Sequence, residues 1–221
     1  MRILKRLSAL LMAVALCFAA ASAEEQTAFE RYCEEIKLEN SDTQAWIEIP
    51  GTNISYPVMQ HAQDDKYYLD HSCHGKNENY GALYTESQYN QFDFSDPVVV
   101  IYGHRMNNGS MLGTMQKYYS SAFDQYRTIN VYLPSGEERQ YTVFAAVLCS
   151  DLHLLHYNNF HSPRVFNRFF DDIFATRKLG ITLDHQMRPE PDEQVIVLST
   201  CIKGDASQRY LVMAKLNDEN I

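Results

Sequence analysis

Cys201 closes an apolar run, Val195-Ile196-Val197-Leu198, after Ser199 and Thr200, and Arg209 follows eight residues later. Four apolar residues bounded by polar ones predict a buried strand that delivers Ser199, Thr200 and Cys201 to its carboxyl end. A second apolar run, Val98 to Tyr102, opens after Asp96-Pro97 and ends at Gly103-His104. Two strands therefore each end in a reactive residue. A thiol with an ordinary pKa of about 8.5 is only a small fraction thiolate at neutral pH, so a nucleophilic cysteine needs a partner. A histidine can take its proton, or as imidazolium stabilise the thiolate, and can then protonate a leaving amine. Arg209 could offer a planar fork of hydrogen-bond donors to a developing oxyanion. Cys, His and Arg together suit acyl transfer through a thioester, provided the fold brings them to one place. Each alone has an ordinary reading: a core cysteine at a strand end, a polar residue after a strand, a surface arginine.

The elements that would position these residues are mostly strands. Trp46-Ile47-Glu48-Ile49 alternates and stops at Pro50-Gly51, and Ile54 to Met59 resumes as strand. His71 to Asn79 is a polar surface loop before a short strand at Gly81 to Tyr84. Met111, Leu112 and Met115 predict a short helix after the Asn107-Asn108-Gly109 turn. Thr128 to Leu133 and Arg139 to Leu148 flank Pro134-Ser135-Gly136 as a hairpin. Ser162-Pro163 begins a helix whose Val165, Phe166, Phe169, Phe170, Ile173 and Phe174 make one apolar face, with Arg177 in the last turn and Gly180 beyond. The last strand runs from Arg209 to Leu216. Without repeats or an internal linker, this predicts one small mainly β domain, a barrel with peripheral helices.

The chain of 221 residues, 45% hydrophobic, can bury one sizeable core. Residues 1–23 stand apart. Arg2, Lys5 and Arg6 precede an uncharged run from Leu7 to Ala23, which reads as a signal peptide ending at Ala21-Ser22-Ala23. At about 1.5 Å per residue the run is roughly 25 Å long, the lower limit for spanning a bilayer, so retention as an N-terminal anchor is the alternative. Both readings export the rest. Residues 24–44 predict an N-terminal helical segment, and 45–221 the domain that carries the candidate site. The net charge of −9 includes the leader's three basic residues, leaving −12 beyond it, and no basic cluster remains to bind nucleic acid. Of the cysteines outside the leader, Cys201 is expected free, while Cys33, Cys73 and Cys149 stay unassigned. His71, Cys73 and His74 lack a fourth ligand at metal-site spacing and read as an ordinary polar loop, and His153, His156 and His161 as solvated loop residues.

Leu198-Ser199-Thr200-Cys201 with Arg209, and Tyr102-Gly103-His104 near mid-chain, resemble the sortases, cysteine transpeptidases of Gram-positive cell surfaces. Class B is the best match. Its pattern is carried by Trp46-Ile47 with Ile54-Ser55-Tyr56-Pro57-Val58, by Tyr68-Leu69-Asp70, by Asn79 to Tyr84, and by Gly103-His104-Arg105-Met106 before Gly109-Ser110-Met111. A long helix before the last two strands, here Ser162 to Arg177, is a further class B trait. The likeness spans roughly residues 40–216. Three departures stand out: His71-Ser72-Cys73-His74-Gly75 where an aromatic-rich stretch belongs, Cys149 within a strand, and no Asp-Pro-aromatic lid segment.

The resemblance implies an eight-stranded sortase barrel on the outer face of the membrane. Position by position, Cys201 matches the nucleophile, His104 the general acid/base and Arg209 the oxyanion-stabilising residue. Tyr102, Ser199 and Thr200 fall where the family lines its substrate groove. The implied partners are surface proteins with a C-terminal sorting signal of the Asn-Pro-x-Thr-x kind, and a peptidoglycan-precursor or pilin amine as acceptor. No metal or organic cofactor is implied. Two rival functions are an exported papain-like cysteine peptidase, whose cysteine would precede its histidine, opposite to the order here, and an inactive surface binding module.

Overall fold

The computed structural model describes residues 26–119, 122–177, 180–202 and 204–218. The leader lies outside the described residues. Helix α1 (Ala28–Glu35) starts at a reciprocal cap: the Thr27 hydroxyl accepts from the Glu30 amide, and the Glu30 carboxylate accepts from the Thr27 amide. Tyr32 of this helix stacks on Trp46 with ring centroids 4.9 Å apart, which fixes α1 to the first strand.

Among the described residues nine strands follow: β1 (Thr43–Glu48), β2 (Ser55–Met59), β3 (Leu83–Tyr84), β4 (Val98–Tyr102), β5 (Thr128–Tyr132), β6 (Glu138–Ser150), β7 (Thr182–Leu183), β8 (Val195–Ile202) and β9 (Asp205–Leu216). They pair in the order β5-β1-β2-β3-β4-β8-β9-β6, and β5 pairs again with β6. That last pairing closes an eight-stranded barrel and removes the open edges a flat sheet would leave. The ninth strand, β7, pairs with the middle of β6 at Ala145 and Ala146, just past the stretch that pairs with β5. β2–β3 and β4–β8 are parallel, and the other pairs antiparallel.

Side chains alternate along each strand, so each strand feeds two cores. Val99, Ile101, Ile196, Leu198, Val212 and Ala214 point into the barrel. Val98, Val100, Val195, Val197, Leu211 and Met213 point outwards, under helix α4 (Pro163–Ala175). Strands buried on both faces read as unbroken apolar runs, which is why Val98 to Ile101 and Val195 to Leu198 look as they do in sequence. Helix α4 covers the outer core with Phe166, Phe170 and Ile173, and Phe170 meets Phe144 edge to face at 5.9 Å.

Local differences from the sequence expectations have physical causes. The long helix occupies Pro163–Ala175, inside the expected Ser162–Arg177, and the Ser162 side chain makes no cap bond; its carbonyl accepts from Val165 and Phe166 instead. The segment after Met111 is a 3-10 helix (Gly113–Tyr119) followed by the short α2 (Ala122–Gln125). A one-turn helix, α3 (Leu154–Tyr157), was not expected; four residues are too few for periodicity to show, and the His153 ring nitrogen Nδ1 starts it by accepting from the His156 amide at 3.1 Å. Among the described residues, no helix is long and apolar enough to cross a membrane.

Candidate active site

Strand register brings the predicted residues together. On β8 and β9, Cys201 pairs directly with Arg209, Ser199 with Leu211 and Val197 with Met213. On β4 and β8, Tyr102 pairs with Ser199. Alternation then places Tyr102, Ser199, Cys201 and Arg209 on the outward face that Val195, Val197, Leu211 and Met213 share lower down. The buried apolar part of that face lies under α4; beyond it the face opens into a cleft of about 630 Å³, lined by His104, Cys201 and Arg209 among others. Cys201 is exposed there, whereas Ser199 is 5% and Thr200 2% accessible.

The ends of β4 and β8 are tied to each other. The Gly103 amide donates to the Ser199 carbonyl at 3.1 Å, and the Thr200 hydroxyl donates to the Gly103 carbonyl at 2.7 Å. Thr200 thus lines the cleft with its hydroxyl already engaged. Gly103 is required at this point because a Cβ there would collide with the Leu83 side chain and press on Leu112. A second glycine, Gly204 at φ +82, lets the chain reverse between β8 and β9 so that Arg209 returns beside Cys201.

His104 is fixed from the opposite side. Its Nε2 lies 2.7 Å from the Leu69 carbonyl, at the end of the 3-10 turn Tyr67–Leu69. A carbonyl can only accept, so the Nε2 proton points at Leu69, and in the neutral ring Nδ1 is the nitrogen left to receive a proton. Arg209 lies between two cysteines, paired with Cys201 on one side and Cys149 on the other, and its Nη1 donates to the Gln208 carbonyl at 3.0 Å. Cys149 and Cys201 are therefore two strands apart. At about 4.8 Å per strand this exceeds the roughly 7 Å limit for Cα atoms of a disulfide, so the two cannot bridge without breaking the sheet. None of the four described cysteines is in a disulfide.

Tyr102 stacks on Tyr84 with centroids 5.5 Å apart. Burial pushes both phenols up, and the Glu86 carboxylate pushes each further. Cys201 and Arg209 also act on Tyr84, in opposite directions, which sets that ring beside the nucleophile candidate. Tyr84 lay within the quoted Asn79 to Tyr84 pattern without a role, and Glu86 escaped the sequence reading because Thr85-Glu86-Ser87-Gln88 looks like any polar connection. The histidines expected as solvated loop residues are engaged: His153 Nε2 lies 2.7 Å from Glu86, and His161 Nε2 3.1 Å from Asp96. His71 is held by Asp70 at 2.7 Å and lies 2.9 Å from the Tyr67 carbonyl. Among the described residues, no three His, Cys, Asp or Glu side chains gather as a metal site would need.

A closed barrel that presents a cysteine beside an arginine, with a histidine at a neighbouring strand end, is the layout of a cysteine transpeptidase. The model of the sortase domain matches residues 47–217, and the chain belongs to the sortase family. Its similarity runs to class B. Sortase B of Listeria monocytogenes is 26% identical over 180 residues, covering 80% of this chain and 70% of that protein. Sortase B of Staphylococcus aureus is 22% identical over 185 residues, covering 83% and 73%. Among solved structures, a mutant form of Clostridium perfringens sortase B superimposes with a TM-score of 0.72 at 22% identity over 86% of this chain and 89% of that one. The Staphylococcus aureus sortase B–substrate complex gives 0.69 at 20% identity, covering 88% and 87%. The eight-stranded barrel with its helix before the last two strands is thus the class B fold. Sortases are cell-surface enzymes, and the family implies substrates that bear a sorting signal.

Proposed function

We propose that Cys201 is the nucleophile, His104 the general acid/base and Arg209 the oxyanion donor of a class B transpeptidation. The direct register pairing of Cys201 with Arg209, on the face that carries the His104 strand end, supports this most strongly. The Cys201 sulfur attacks the carbonyl carbon of the Thr in an Asn-Pro-x-Thr-x signal, while the thiol proton passes to His104 Nδ1. Arg209 offers its donors to the oxyanion of the tetrahedral intermediate. As the C–N bond breaks, His104 returns the proton to the leaving amine and a thioester remains. A cell-wall or pilin amine then attacks the thioester, forms the new amide and restores the thiol. Tyr102 and Ser199 line the groove, and Thr200 acts by holding the two strand ends together. Residues 1–23 would keep the enzyme at the membrane if uncleaved.

The chain order His before Cys argues against a papain-like peptidase, and the exposed thiol beside Arg209 against an inactive binding module. Incubating the protein with a panel of sorting-signal peptides, then measuring intact mass, is the direct test. An acyl adduct on Cys201 that an added amine discharges is the expected result. Peptide cleavage without any Cys201 adduct would overturn the mechanism.

A further inference from the structure

Residues 151–158 supply a further wall of the cleft that holds Cys201, through Asp151 to Leu154, Tyr157 and Asn158, and little holds that wall. No side chain from Asp151 to Asn159 is buried, and Leu152 and Tyr157 are 65% and 62% accessible. Leu154 and Leu155 rest on the margin of the outer core, and the Asp151 amide donates to the Ser207 carbonyl at 2.9 Å. The other attachments cross to the segment after β3. His153 Nε2 lies 2.7 Å from Glu86, the Tyr89 ring packs on His153 at 4.7 Å, and the Tyr89 hydroxyl lies 3.2 Å from His156 Nδ1.

Glu86 is an unusual anchor: its side chain is 9% accessible, and it lines the same cleft as Cys201. Burial raises its pKa, and His153 opposes that shift. The tautomer of His153 follows from its other nitrogen. Nδ1 accepts from the His156 amide, so in the neutral ring the proton sits on Nε2, the nitrogen 2.7 Å from the Glu86 carboxylate. One ring therefore starts helix α3 and brings its other nitrogen to ion-pair distance of the Glu86 carboxylate, 2.7 Å from Oε2. Glu86 in turn acts electrostatically on the phenol of Tyr102, whose buried hydroxyl makes no hydrogen bond.

We infer that Glu86 and His153 form a polar latch that docks the 151–158 wall onto the barrel beside Tyr102, so that this pair sets how tightly a sorting peptide is held rather than how fast the thioester forms. Both are positioning residues. The inference rests on the proposed reading of the cleft as the peptide site.

The test compares the full-length protein with His153→Asn, His153→Ala, Glu86→Gln and Glu86→Ala. Asparagine can still cap α3 but cannot reach Glu86, so His153→Asn separates the latch from the cap. Glu86→Gln keeps the shape of the site should Glu86→Ala fail to fold. For His153→Asn, KM for the sorting peptide rises about tenfold with kcat unchanged, the scale expected when a buried carboxylate loses its one close imidazole neighbour. Amides of 153–158 then exchange faster with solvent deuterium, and adding Glu86→Gln to His153→Asn brings no further rise. Wild-type KM and wild-type exchange in His153→Asn would overturn the latch, as would a fall in kcat alone. Should the wild-type protein turn over no sorting peptide, the transpeptidation reading fails, and the exchange of 153–158 alone then decides whether the wall is latched.

Discussion

The two walls of the cleft are built on different principles. On one side, Tyr102, Ser199, Cys201 and Arg209 sit on three adjacent strands whose backbone pairing sets their spacing, above a layer of fully buried valines and methionines. On the other, residues 151–158 bury no side chain fully and reach the barrel through Leu154 and Leu155 at the margin of the outer core and a handful of polar and ring contacts. The proposed chemistry, which depends on fractions of an ångström, would thus be held by a ladder of backbone hydrogen bonds, and the proposed peptide-facing surface by contacts that can be exchanged one at a time. The contrast also separates kinds of defect: damage to the strand wall should appear in kcat, damage to the loop wall in KM.

Cys201→Ala probes the strand wall most severely. It removes the sulfur proposed to form the thioester, and turnover is expected to fall to background while the thermal transition stays put, because the thiol is exposed. A peptide-turnover assay with a melting curve checks both halves; retained turnover would sink the nucleophile assignment. Arg209→Ala comes next, with a loss of about 10²–10³-fold in kcat, the scale of one oxyanion donor. Arg209→Lys should recover little of it, since an ammonium lacks the planar fork. An unchanged rate in both variants would make Arg209 a structural member of β9.

Thr200→Val tests whether the strand wall depends on its backbone ties. The substitution keeps the shape and deletes the hydroxyl that donates to Gly103, which costs about 1–3 kcal/mol by leaving the carbonyl without that partner. Because Gly103 precedes His104, turnover should fall about ten- to a hundredfold with little change in KM. Denaturant unfolding beside steady-state kinetics measures both. Normal kcat with lowered stability would show that His104 is placed by Leu69 alone.

What the sequence showed and what it hid follow the same division. Unbroken apolar runs ending at His104 and Cys201 were legible because strands buried on both faces need apolar side chains at every position. Helix α4 was legible from its phenylalanines, though its ends moved inwards. The pairing of Cys201 with Arg209 was legible as proximity across a turn, and the register made it an exact neighbour relation on one face. Glu86 and His153 were not legible as a pair. They lie in polar connections 67 residues apart, where composition carries no period and partner choice is decided only by tertiary packing. Helix α3 was hidden for a related reason: one turn capped by a histidine gives no repeat to read.

The smallest expected effect concerns how the inserted segment returns to the barrel. After α4 the chain pairs at β7 and is then held by Asp184, whose amide donates to the Phe144 carbonyl at 2.8 Å and whose carboxylate meets Arg127 at 2.7 Å. The hydrogen bond from Arg127 lowers the Asp184 pKa, against a smaller opposing effect of burial. A folded-state pKa below the unfolded one gives stability that is present above the ordinary aspartate pKa of about 3.9 and is lost as pH falls through the lower, folded value. Asp184→Asn should therefore cost under about 1 kcal/mol near neutral pH, since both side chains keep roughly a quarter of their surface in water, and the difference from wild type should vanish in acid. Urea unfolding at neutral pH and near pH 3 measures it. Because the site is on the insertion's return path and not on β4, β8 or β9, kcat should not move; a drop in kcat would mean that the loop wall and the strand wall are mechanically coupled, and the division between them would have to be redrawn.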